Sequence, residues 1–186
     1  MDKNLKYDPD IHHRRSIRLK GYDYAQAALY FITICTANKL CIFGEIHNDE
    51  MILNEVGKMV DQQWIELIHR FDNIKLHEYI VMPNHFHGIV EFLETPLVGD
   101  QNVNQSSEII PTVGDVVGAF KSLTTNDYIR NVKQNNWKHF DKKLWQRNFF
   151  EHIIRNEKSY CQISEYIQTN QFKWQDDKYF KKITQI

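Results

Sequence analysis

Between Val81 and Val90 the chain reads Val-Met-Pro-Asn-His-Phe-His-Gly-Ile-Val, a β-forming run that carries two imidazoles two positions apart. Successive side chains of a strand point to opposite faces, so His85 and His87 share one face while Phe86 enters the layer behind. Same-face neighbours lie roughly 6 to 7 Å apart at the backbone, which lets two ring nitrogens converge on one cation. The tripeptide is equally compatible with two hydrogen-bonded histidines at a strand end, and alone it leaves both readings open.

The flanking sequence predicts the sheet that such a segment needs. Residues 28–36, Ala-Leu-Tyr-Phe-Ile-Thr-Ile-Cys-Thr, are β-branched and aromatic and read as a central strand. From Asn54, a suitable N-cap, to Arg70, the residues Val56, Met59, Val60, Trp64, Leu67 and Ile68 recur at helical spacing. Strands are predicted over 74–82 and 87–93, meeting at Pro83-Asn84, then a helix over 113–130, a short strand over 149–155 and a helix over 158–170. The order β-α-β-β-α-β-α predicts an α+β sandwich of ferredoxin-like type, an antiparallel sheet with helices packed mainly on one face. One domain over 1–186 is expected, with residues 1–22 a basic arm and the polar, aperiodic residues 95–112 a long loop.

A chain of 186 residues with 42% hydrophobic residues can bury a proper core. It carries no apolar run long enough to span a bilayer and no apolar stretch at Met1-Asp2-Lys3-Asn4-Leu5-Lys6, so a cytoplasmic protein without a membrane partner is expected. Cys35, Cys41 and Cys161 form no Cys-x-x-Cys pair; neither a disulfide framework nor a thiolate zinc site follows, and buried small side chains are expected. The net charge of -1 excludes a generic polybasic nucleic-acid binder. Positive charge is nonetheless clustered, at Arg14, Arg15, Arg18 and Lys20, and again at Lys138, Lys142, Lys143 and Arg147.

Near the C-terminus, Tyr166 and Asn170 are four residues apart on a predicted helix and project from one face, one turn from each other. Tyr160, six residues from Tyr166, faces another side of that helix.

Together with the arm Arg14-Arg15-Ser16-Ile17-Arg18-Leu19 leading through Gly21-Tyr22-Asp23-Tyr24, these blocks carry a resemblance. Met82-Pro83-Asn84-His85-Phe86-His87, Gly118-Ala119-Phe120-Lys121-Ser122, Leu144-Trp145-Gln146-Arg147-Asn148-Phe149-Phe150-Glu151-His152-Ile153-Ile154-Arg155 and Tyr166-Ile167 follow in order over nearly the whole chain. The set resembles the single-tyrosine transposases of the His-hydrophobic-His endonuclease superfamily, in particular the REP-associated tyrosine transposases. The family's tyrosine helix commonly ends in Asn-Pro, whereas this chain has Asn170-Gln171, so the helix is free to continue.

The resemblance implies a metal-dependent endonuclease and strand transferase that acts on single-stranded or hairpin DNA through a 5′-phosphotyrosine. It implies Tyr166 as nucleophile, with His85, His87 and Asn170 as ligands of Mg²⁺ or Mn²⁺. Imidazoles alone suit a softer ion such as Zn²⁺; the resemblance decides for the harder ones. Arg14, Arg15, Arg18, Lys121, Arg147 and Arg155 are the expected DNA contacts. Relatives include both homodimers and monomers. Two alternatives remain, a hairpin-binding protein without turnover and a phosphoesterase that uses activated water.

Overall fold

A computed structural model describes residues 28–93 and 111–180. The basic arm, with Arg14, Arg15 and Arg18, and nearly all of the predicted loop 95–112 lie outside the described residues. Strand β1 (Ala28–Cys35) is followed by a hairpin, β2 (Gly44–His47) and β3 (Glu50–Leu53), then helix α1 (Glu55–Ile65). Strands β4 (Ile74–Met82) and β5 (His85–Phe92), helix α2 (Val113–Gln134), strand β6 (Phe150–Ile154) and helix α3 (Glu157–Thr169) complete the order.

Four strands form one antiparallel sheet in the order β4-β5-β1-β6. With α1 linking β1 to β4 and α2 linking β5 to β6, this is the ferredoxin-like arrangement that the sequence predicts. As expected, β1 is central and α1 starts at Asn54, whose side chain accepts from Gly57 N. Strand β5 begins two residues earlier than predicted and therefore includes both histidines.

Alternation assigns every strand residue to one of two layers. Tyr30, Ile32 and Ile34 of β1 and Phe86, Val90 and Phe92 of β5 pack with Val60 and Trp64 of α1 and Val116, Val117 and Phe120 of α2. Gly88 lets Trp64 approach the sheet; a Cβ there would lie 2.8 Å from Phe86 and 3.0 Å from Trp64. The opposite face is smaller. Phe31, Ile89, Ile154 and Ile167 form its core, with Ile80, Tyr160 and Ile163 against them. Helix α3 covers this face, so two helices lie on one side of the sheet and the third on the side that carries His85 and His87.

A bulge in β4 serves the docking of α3. The register shifts between Leu76 and Tyr79, so that His77 and Glu78 together oppose one residue of β5 and both reach the α3 side. Glu78 Oε2 accepts from Tyr160 Oη at 2.9 Å and from Ser164 Oγ at 3.2 Å, while His77 contacts Tyr160 Oη at 3.1 Å and Glu91 Oε2 at 2.8 Å. Against the opposing effect of burial, a backbone hydrogen bond, then the Tyr160 and Ser164 hydroxyls and the His77 charge, hold Glu78 below the ordinary carboxylate range.

The cysteines depart from expectation: Cys35 and Cys41 are half-buried and Cys161, on the outer side of α3, is exposed. Among the described residues no helix is long and apolar enough to cross a membrane.

Candidate active site

His85 and His87 sit at the start of β5, both pointing toward α3, with exposures of 0% and 1%. Their ring centroids are 4.6 Å apart. Each has its Nδ1 bound by a fixed partner. His85 Nδ1 is 2.9 Å from Asn84 Oδ1, and Asn84 Nδ2 donates to the carbonyl oxygens of Lys39 and Tyr179 at 3.2 and 2.8 Å. Those two carbonyls fix the amide orientation, so Nδ1 of His85 is the protonated nitrogen and Nε2 carries a lone pair. His87 Nδ1 lies 2.8 Å from Thr33 Oγ1 on the neighbouring strand, directly opposite in register.

The Tyr166 hydroxyl is 3.3 Å from His87 Nε2, which accepts from it in a consistent assignment. The tyrosine ring packs edge-on to His87 at 5.2 Å and to Phe31 at 6.1 Å, and the residue is 37% exposed. Burial raises the Tyr166 pKa, and the Asp177 carboxylate raises it further. His85 Nε2 and Asn170 Oδ1 are buried and have no hydrogen-bond partner of good geometry. Burial pushes the His85 pKa down to about 3, with the Lys178 charge adding to the effect and the nearby Asn170 side chain opposing it. His87 moves in the same direction, through burial and then the charges of His85 and Lys178.

Asn170 closes α3 and begins a 3-10 segment, Asn170–Asp176, so the chain continues in helical turns past Asn170. The Gln171 side chain accepts from the backbone N–H of Met51 at 3.0 Å and ties this segment to β3. The segment returns Asp177, Lys178 and Tyr179 to the histidines. Ligand atoms of His85, His87 and Asp177 all lie within 4.8 Å of one another. The Tyr179 ring stands 4.6 Å from His85, and Trp174 closes the other side at 6.0 Å. Sequence reasoning misses Asp177 and Tyr179 because nothing periodic connects them to the motif. Thr33 and Asn84 could have been found, the first from its face on β1 and the second from its place beside His85.

The structure brings His85, His87, Tyr166 and Asn170 together. Arg147 and Arg155 are exposed, on the loop before β6 and just after it. Lys121 does not project outward from α2: its Nζ donates to the carbonyls of Gln146, Arg147 and Asn148 at 2.9, 3.3 and 3.2 Å and lies 5.6 Å from the Phe149 ring. Three carbonyls occupy the ammonium's three donors, so it shapes the loop that bears Arg147. Burial pushes its pKa down to about 8, which still leaves most of it charged at neutral pH. Lys121→Met is expected to lower stability by about 2 kcal/mol in urea unfolding, as charge-assisted bonds of this kind contribute. An unchanged unfolding midpoint with weakened DNA binding would instead restore the contact role expected from sequence.

A Haemophilus influenzae protein described as uncharacterized is 43% identical over 182 residues, covering 94% of this chain and 97% of its own. No family model matches the chain. Among solved structures, a REP-associated tyrosine transposase bound to a REP hairpin aligns with a TM-score of 0.53 at 19% identity. The alignment covers 86% of this chain and 74% of the transposase. The chain thus has a tyrosine-transposase-like fold, and it belongs to one family with the Haemophilus influenzae protein.

Proposed function

We propose that this chain, a member of that family built on a tyrosine-transposase-like fold, is a cation-dependent single-stranded DNA endonuclease and strand transferase with Tyr166 as nucleophile. The observation that carries the reading is the Tyr166 hydroxyl 3.3 Å from His87 Nε2, beside a second buried histidine whose Nε2 has no hydrogen-bond partner of good geometry. A core histidine retained only for packing would have that nitrogen satisfied.

The residues present fit a divalent cation. Two imidazole lone pairs, the Asp177 carboxylate and the orphaned Asn170 Oδ1 form a mixed nitrogen and oxygen donor set, and Thr33 and Asn84 hold the ring nitrogens turned away from it. Carboxylate and amide oxygens beside imidazoles suit Mn²⁺ or Mg²⁺. Such an ion supplies Lewis-acid neutralisation of the non-bridging oxygens of a phosphodiester. Asp177→Asn keeps the size of the side chain and removes its charge, and is expected to weaken Mn²⁺ binding about 10- to 100-fold in calorimetric titration. Unchanged affinity would leave Asp177 outside the ligand set.

The remaining chemistry belongs to the chain. Tyr166 Oη attacks phosphorus, the bond to the 3′ oxygen breaks, and that oxygen leaves with a proton as a 3′-hydroxyl while the 5′-phosphate stays on the tyrosine. The phosphotyrosine retains the phosphodiester bond for return to a 3′-hydroxyl, which makes the reaction a transfer and not net hydrolysis. Docking of α3 on its own sheet through Glu78, Tyr160 and Ser164 holds the nucleophile in cis, so one copy of the chain contains the whole site. Arg147 and Arg155, with Arg14, Arg15 and Arg18 of the arm, are the proposed contacts to DNA phosphates.

A second reading is favoured by one observation. Both histidines are buried, packed by the rings of Tyr166, Trp174 and Tyr179, so a phosphate reaches them only after covering side chains move. A hairpin-DNA-binding protein without turnover would keep such a cover permanently. Incubation with hairpin DNA from beside its gene, in Mn²⁺ or Mg²⁺, separates the two on a denaturing gel. A 3′-end label that moves to protein mass is the expected result, and tight binding with neither adduct nor cut strand would establish the second reading. Cleavage without adduct would identify water as the nucleophile.

A further inference from the structure

We infer that Phe150 is a stacking platform for a nucleobase beside the scissile phosphate, with Lys178 holding the adjoining backbone; this rests on the strand-transferase reading. Phe150 opens β6, one of the two edge strands of the four-stranded sheet, and is 41% exposed. It pairs in register with Thr33, which pairs in turn with His87. The three side chains therefore lie in one cross-strand row on the α3 side of the sheet. Two strand spacings separate Phe150 from His87, roughly 10 Å. That is the reach from a phosphate to the base of an adjoining nucleotide.

The ring belongs to the aromatic set of the site. Phe31 lies between, 6.3 Å from Phe150 and 6.1 Å from Tyr166, and stacks on His87 at 5.3 Å. Lys178 Nζ stands 5.9 Å from the Phe150 ring and 4.8 Å from that of Tyr179. An exposed phenylalanine beside an exposed ammonium presents both halves of a nucleotide's chemistry, a π-face for the base and a cation for the phosphate. The inner layer of the sheet does not need this side chain, which packs with neither α1 nor α2.

Binding of a short oligothymidylate and of an abasic strand of equal length and charge to the full-length protein tests the assignment. Phe150→Ala is expected to weaken oligothymidylate about 5- to 150-fold, the range of one base stacked on one aromatic ring, and to leave the abasic strand unchanged. Phe150→Trp is expected to retain affinity and to show tryptophan quenching by oligothymidylate but not by the abasic strand. Equal affinities of wild type and Phe150→Ala for oligothymidylate, or equal losses for both strands, would overturn the inference. If wild type still forms the Tyr166 adduct in that case, the inference falls alone. If it neither binds strands nor forms an adduct, the proposed function falls with it.

Discussion

Tyr166→Phe is expected to abolish the covalent protein–DNA adduct, lowering strand cleavage by at least about four orders of magnitude, as removal of a nucleophile does elsewhere. The substitution is conservative in every other respect. The ring keeps its edge contacts with His87 and Phe31, and only the hydroxyl 3.3 Å from His87 Nε2 is lost. Folding and Mn²⁺ affinity should therefore stay near those of wild type. Because burial and the Asp177 charge raise the phenol's pKa, almost none of it is ionised at neutral pH. Wild-type adduct formation should accordingly rise about tenfold per pH unit from pH 7 to 9, where proton loss precedes attack. A Tyr166→Phe protein that cleaves at the wild-type rate would transfer the chemistry to water or to another side chain.

Acidification is expected to unfold the protein through the histidines. In the unfolded chain His85 takes a proton near pH 6.5, whereas in the fold it resists one until about pH 3. Below pH 6.5 the unfolded state thus binds more protons than the native state, and stability falls as pH drops toward 3 and levels off beneath it. The difference is worth on the order of 4 to 5 kcal/mol for His85, and His87 acts in the same direction. That is a large part of the 5 to 15 kcal/mol typical of a folded domain. Urea unfolding from pH 7 to 4 should show a steep fall in midpoint, and saturating Mn²⁺ should raise the midpoint at neutral pH by mass action. A flat profile over that range would mean that the imidazoles accept protons in the fold, which a pair so fully withdrawn from water does not.

The legible parts of this molecule are those written in local pattern. The continuous apolarity of 28–35 marks a central strand, and the step of two from His85 to His87 places both rings on one face, where the structure has them. The hairpin of β2 and β3 went unread because Asn48-Asp49 supplies its two positive-φ turn positions without a glycine, and because its strands are four residues each. The side on which α3 packs was not legible either. Its docking depends on the bulge at His77 and Glu78, which exists only relative to the register of β5. Asp177 illustrates the same limit at the site. A carboxylate seven residues beyond Asn170 reaches the histidines only because the 3-10 segment from Asn170 to Asp176 turns the chain back, and that turn is set by contacts of Gln171 and Trp174 with distant strands. Lys121 shows the converse, since the resemblance assigns it to DNA while its carbonyl partners come from a loop 25 residues on.

Mass-spectrometric mapping of the residue that carries DNA, after incubation of the full-length chain with hairpin DNA and Mn²⁺, tests the central claim most directly. The account predicts a nucleotide mass on the peptide that contains Tyr166, absent when Mn²⁺ is chelated. Attachment at Tyr160, whose hydroxyl is bound to Glu78 and His77, or cut DNA with no modified peptide, would contradict it.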